Sequence, residues 1–155
     1  MTHFQPAELH AFIVSAKQAT YVGNGQKLLA YRLGSHDLQY FEGDWAYHDS
    51  YLGENDFIGE EAVYFRGQVV WAMNYFGRIL KPERITSAEA GQMIKVSLTK
   101  MYAEGRFLGG FEYVEGDLTY VDTSDGDHTF FTGREWIARS GEKVYELVYH
   151  GGLVN

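Results

Sequence analysis

Carboxylates, histidines and large aromatic rings are concentrated between Ser35 and Tyr75, and any chemistry in this sequence starts there. Glu60-Glu61 opens a mostly apolar stretch, AVYFRGQVVWAMNY. A carboxylate at the head of such a strand must be solvated, paired or used. One reading pairs Glu61 with Arg66, Arg78 or Arg134. The other sets it in the wall of an aromatic pocket with Tyr51, Trp71 and Tyr75. Such a pocket suits a cationic or hydrogen-bonding organic ligand, through charge and cation–π attraction. With a raised pKa the same carboxylate would be a general base, although no partner acid is evident.

Ser35-His36-Asp37 has the composition of a catalytic triad without its geometry. Consecutive residues of an extended chain point to alternate sides, and no G-x-S-x-G elbow is present. Turn hydrogen bonding ahead of a strand is the expected role of Ser35 and Asp37. His36, Asp37, His48 and Asp49 come close together if Gln39 faces His48 across a hairpin, which would allow a two-histidine, one-carboxylate site. No H-E-x-x-H spacing supports it, and a polar rim hydrogen-bonding a loop is the plainer reading. Gly23-Asn24-Gly25 reads as a turn and not as a phosphate loop. The expectation is therefore no metal, no cofactor and no assigned catalytic residue.

The elements that must position these groups occur twice. LQYFEGDWAYHDSYLGENDFIGEEAVYFRGQVVWAMNYFGRIL, from Leu38 to Leu80, aligns with a second stretch from Phe111 to Val154. Tyr40, Glu42, Gly43, Asp44, Tyr47, Asp49, Gly53 and Phe57 match Tyr113, Glu115, Gly116, Asp117, Tyr120, Asp122, Gly126 and Phe130. After one inserted residue, Thr132, the positions Gly59, Glu61, Gly67, Val70, Tyr75 and Gly77 match Gly133, Glu135, Gly141, Val144, Tyr149 and Gly151. Gly43-Asp44 and Arg66-Gly67 are hairpin turns, and so are Gly116-Asp117 and Ser140-Gly141. The spacing sets Tyr40 opposite Tyr47, Tyr113 opposite Tyr120, Val63 opposite Val70 and Ile137 opposite Val144, with a loop from Ser50 to Gly59. Apolar residues on both faces of the strands around Val63 and Trp71 predict cover on two sides. Each copy follows a helix. Leu9, Phe12, Ile13 and Ala16 give the first, about Ala7 to Ala19, whose other face carries Glu8, His10, Ser15, Lys17 and Gln18. Thr86 to Glu89 forms a capping box for the second, which Gly105 stops.

The expected fold is α+β: two tandem pseudo-twofold repeats, residues 7–80 and 86–155, each a helix plus two antiparallel β-hairpins, in one domain spanning 1–155. Positions shared by both copies read as scaffold. Departures in the first copy, His48 against Val121, Tyr51 against Ser124, Trp71 against Tyr145 and Asn74 against Val148, read as function. The candidate ligand-binding set is His36, Asp37, His48, Tyr51, Glu61, Trp71, Asn74 and Tyr75.

Composition narrows the partners. The chain has 155 residues, a net charge of −8, no Cys, and an aromatic fraction of 16% that favours strands. An acidic protein is poorly suited to phosphate backbones or anionic membranes, so neither nucleic acid nor membrane is an expected partner. With no thiol there is no disulfide framework and no Cys-based zinc site. No signal-like opening and no apolar run of ~20 residues is seen, which predicts a cytoplasmic protein.

The motifs S-H-D-L-Q-Y (Ser35–Tyr40), Y-x-D-S-Y-L-G (Tyr47–Gly53), F-x-G-E-E (Phe57–Glu61), W-x-M-N-Y-x-G (Trp71–Gly77) and H-G-G (His150–Gly152) resemble those of the bacterial family called domain of unknown function 5680. The family has no established activity. Some members carry the domain behind a helix-turn-helix of the XRE class, which implies sensing or ligand binding there. A looser analogy is to GyrI-like domains, in which two α+β repeats enclose a small-molecule cleft with a glutamate. The functional expectation is a domain that binds a small organic molecule in an aromatic and carboxylate pocket between the repeats. The alternatives are a small hydrolase or isomerase using Glu61 with His36 or His48, and a structural or partner-binding domain, such as a homodimer through a sheet edge.

Overall fold

The computed structural model describes residues 3–21 and 26–155. The glycine pair flanking Asn24 lies outside them. Two helices and nine strands are described, in the order α1 (Pro6–Tyr21), β1 (Gln26–Lys27), β2 (His36–Glu42), β3 (Trp45–Gly53), β4 (Phe57–Phe65), β5 (Gln68–Ile79), α2 (Ser87–Ala103), β6 (Phe111–Glu115), β7 (Leu118–Asp127), β8 (Phe130–Arg139) and β9 (Glu142–Leu153). The fold class is α+β. All nine strands join one antiparallel sheet in the order β1-β2-β3-β4-β5-β9-β8-β7-β6.

Turn chemistry sets the register. Gly43 at φ 58 and Gly116 at φ 61 head two-residue turns that bring Tyr40 opposite Tyr47 and Tyr113 opposite Tyr120. Arg66-Gly67 and Ser140-Gly141 have positive φ at both residues, as a type I′ turn requires. Past those turns the expected pairing changes. Val63 lies opposite Trp71, not Val70, and Ile137 opposite Tyr145, not Val144, because a bulge displaces each ladder by one residue. The bulge lets two successive residues, Val70 with Trp71 and Val144 with Tyr145, turn into the core. The loop expected from Ser50 to Gly59 is mostly strand: β3 and β4 pair as far as Gly53 and Phe57. The polar run His48 to Tyr51 fits there because strand alternation sends its members to opposite faces.

Thr86 caps α2 with both halves of the capping box formed, and Gly105 follows the helix at φ 76. Leu9, Phe12, Ile13 and Ala16 of α1 and Ala90, Met93, Leu98 and Met101 of α2 pack with Tyr47, Val63, Trp71, Tyr120, Ile137 and Tyr145 in one core. Both helices thus cover the same face. The opposite face is open, contrary to the two-sided cover expected for β4 and β5. Ile58, Phe76 and Val148 lie side by side there and stay exposed. None of the described helices is long and apolar enough to cross a membrane.

Candidate functional site

Four carboxylates are buried on the helix-covered face. Asp49 on β3 lies opposite Glu61 on β4, and Asp122 on β7 lies opposite Glu135 on β8. A buried charge must be hydrogen-bonded and paired to be tolerated, and tyrosines supply most of the donors. The Tyr75 hydroxyl donates to Asp49 Oδ1 at 2.6 Å, and Tyr149 donates to Asp122 Oδ1 at 2.9 Å and Oδ2 at 3.2 Å. Tyr47 donates to Glu61 Oε1, Tyr120 to Glu135 Oε2, and Tyr145 to Glu135 Oε1 at 3.0 Å. Burial pushes the hydroxyls of Tyr75, Tyr120, Tyr145 and Tyr149 upward, so they stay protonated as donors.

The cation among them comes from α1. Lys17, 4% exposed, donates from Nζ to Glu61 Oε2 at 2.7 Å and to Met73 Sδ at 3.2 Å. Its ammonium also lies 5.4 Å from the Phe107 ring centroid and 5.9 Å from that of Trp71. One ammonium cannot balance four carboxylates. Burial and the neighbouring Glu61 charge push Asp49 up to about 7, and burial with the Glu135 charge does the same to Asp122. Glu135 is raised as well, chiefly by burial.

Two spaces meet at this cluster. A small inner chamber of about 50 Å³ is bordered by Lys17, Glu61, Asp122 and Tyr149. A larger cleft of about 610 Å³ opens between β2–β5, the end of α1 and the start of α2, with Asp49, Tyr51, Phe57, Tyr75 and Tyr145 in its walls. Tyr75, Glu135 and Leu147 border both spaces. Gly59 makes room for this arrangement, because a Cβ there would run into the Tyr75 ring and hydroxyl, and Gly133 does the same for Tyr149. Among the oxygens of the four carboxylates, Asp49 Oδ2 is the one that accepts no hydrogen bond from a described residue.

The residues singled out by sequence divide between the two faces of the sheet. His36 and Tyr51 stack at 4.9 Å between centroids on the cleft wall, and Tyr75 stands beside them in the same cleft. Glu61 is 1% exposed and borders the inner chamber, and its cation is Lys17. The arginines considered for it are elsewhere: Arg66 pairs with Asp44 and Arg78 with Glu146. Trp71 is fully buried, stacks on Phe131 and donates to the His128 carbonyl at 2.9 Å.

Asp37, His48 and Asn74 face the other way. Asp37 Oδ1 meets His48 Nε2 at 2.9 Å, while its Oδ2 accepts from Ser35 Oγ at 2.5 Å and from the Tyr31 N–H at 2.9 Å. Burial alone would raise this carboxyl, but hydrogen bonds from Ser35, Tyr31, Ser50 and His48 hold it at about 2. This is a turn tied to a strand. The two-histidine, one-carboxylate arrangement does not form, because His36 pairs with Tyr51 and His48 with Gln39, an odd number of residues apart on opposite faces. Glu61 and His48 are separated by the sheet in the same way.

Lys17, Asp122, Glu135 and Tyr145 stand outside every candidate site read from the sequence, and Asp49 enters only the two-histidine, one-carboxylate reading. Lys17 follows Leu9 and Ile13 at four-residue steps, the spacing of one helix face, and that was its signal. Asp122 and Glu135 lie at positions that align with Asp49 and Glu61, and shared positions read as scaffold. His10, which the spacing puts on the polar face of the first helix, is half-buried beside Phe107 and His128, and burial lowers its pKa.

No curated protein and no solved structure matches this chain. A family profile described as Domain of unknown function (DUF5680) matches residues 49–154, a segment that begins at Asp49 and runs through β9. The chain belongs to that family.

Proposed function

We propose that the protein binds a small organic molecule in the cleft over Asp49, on a scaffold of two pseudo-twofold repeats. The carrying observation is the cleft itself. Its volume of about 610 Å³ falls within the ~300–1,000 Å³ of ordinary ligand sites, and its walls combine aromatic rings with a few convergent polar groups. Residues from both copies meet there: Asp49, Tyr51 and Tyr75 from the first, Glu135, Tyr145 and Leu147 from the second. The repeat reading is supported by the matched bulges, by the matched Tyr–carboxylate pairs, and by Tyr75 lying opposite Tyr149 where β5 meets β9.

Gly91 of α2 borders the cleft, and a Cβ there would meet nothing within 4 Å. Gly91→Trp therefore puts a ring into the mouth of the cleft while removing an unfavourable residue from a helix. In a thermal-shift screen of amines, organic cations and neutral aromatics, at least one compound is expected to stabilise wild type and not Gly91→Trp. If every compound acts alike on both proteins, the cleft is not a binding site.

A further inference from the structure

We infer that the ligand carries a protonated amine whose N–H donates to Asp49 Oδ2. The inference rests on the cleft reading and names the chemical class that the cleft takes. It comes from a difference between the aspartates of the two carboxylate pairs. Asp122 and Asp49 occupy corresponding places, opposite Glu135 and Glu61 and next to Tyr149 and Tyr75. In the second pair Tyr149 reaches both oxygens of Asp122, at 2.9 and 3.2 Å, and Asp122 borders only the small inner chamber. In the first pair Tyr75 occupies Oδ1 alone, and Asp49 borders the large cleft. Asp49 is 4% exposed as a residue and lines the cleft, and its Oδ2, which takes no donor from a described residue, is not among the fully enclosed atoms.

A carboxylate oxygen left open on a largely buried residue is where a donor entering the cleft would bond. Lys17, whose charge acts on Asp49, is already engaged with Glu61 at 2.7 Å, and Lys27 and Lys95 of the cleft wall donate to Asp49 in no hydrogen bond. A donor arriving through the cleft with a positive charge would satisfy Oδ2 and also offset the burial and Glu61 repulsion that raise Asp49. Tyr51, two residues along β3 on the same face, and Phe57 border the same cleft, so an aromatic body attached to the amine has rings to pack on.

The probe pair is tryptamine and indole-3-ethanol, which share an indole and differ in ammonium against hydroxyl. By titration calorimetry, tryptamine is expected to bind wild type about tenfold tighter or more, the scale of one charge-assisted hydrogen bond. Asp49→Asn keeps an acceptor for Tyr75 and should erase that preference. Asp122→Asn should leave it intact. The carboxyl ¹³C resonance of Asp49 in unmutated protein gives a second readout, expected to move with tryptamine and not with the alcohol. Equal affinity for both probes, lost in Gly91→Trp, overturns the amine anchor and leaves the cleft standing. A preference that persists in Asp49→Asn also overturns it. Absence of any cleft ligand in the wider screen removes both proposals together.

Discussion

At the scale of residues, the interior of this protein is governed by charge balance. Asp49, Glu61, Asp122 and Glu135 are all buried, and the ammonium within reach is that of Lys17. Neutral tyrosine hydroxyls supply most of their hydrogen bonds without adding charge. The consequence is a pH dependence of stability opposite to that of a salt-bridged carboxylate. Asp122, pushed up to about 7, binds its proton more tightly in the fold than in the unfolded chain, where an aspartate titrates near 4. Its contribution is complete below that unfolded value and is lost as pH rises towards 7. Asp122→Asn holds no titrating proton, so its stability relative to wild type should rise by about 1.4 kcal/mol per pH unit across that window. Urea unfolding of both proteins at pH 5, 6 and 7 measures it, and parallel curves would exclude the raised carboxyl. A reader of the sequence alone could see Asp122 but not this property, which depends on the strands and helices that seal it from water.

At the scale of elements, the strands act as shelves whose alternation decides which groups can meet. Asp49 and Tyr51 share one face of β3 while His48 and Ser50 share the other, so an apparently continuous polar run serves two surfaces. The turns that set this register were legible locally, because Gly43, Gly67, Gly116 and Gly141 sit where positive φ is needed. The bulges after Val63 and Ile137 were not legible. Either strand could have continued its alternation, and only the core's acceptance of both Val70 and Trp71 favours the extra residue. Gly59 and Gly133 show the same coupling between neighbouring strands. Each lies opposite a tyrosine whose ring occupies the space a side chain would need. Gly59→Ala should displace Tyr75 from Asp49 and destabilise the protein by about 1–3 kcal/mol, the usual scale of overpacking. Gly67→Ala, in open space but at φ 80, is the control that reports backbone strain alone. Equal losses for the two substitutions, measured by denaturant unfolding, would show that the tyrosine contact is not what Gly59 protects.

At the scale of the whole molecule, the two halves share one sheet and one core. β5 lies against β9 at the centre, and Trp71 of the first half stacks on Phe131 of the second. Residues 1–80 and 86–155 prepared separately should each lack cooperative thermal unfolding, because each would expose a central strand and half of the shared core. Mixing them should restore near-UV circular dichroism. A half that unfolds cooperatively on its own would refute the shared-core account. The sequence by itself determined the local matters: the capped second helix, the glycine turns, and the strand alternation that follows from a period of two. It also carried the family resemblance that the profile over residues 49–154 makes firm. Only the tertiary structure separated the two buried aspartates. Comparing the copies set shared residues aside as scaffold, yet Asp49 and Asp122 are alike in sequence and differ in what stands beside them. One faces an open cleft with an oxygen that no donor of a described residue reaches, and the other faces a small chamber with both oxygens taken. Solvation and hydrogen-bond satisfaction belong to the assembled surroundings of a group and not to its identity, which is why no reading of the chain in one dimension could separate them.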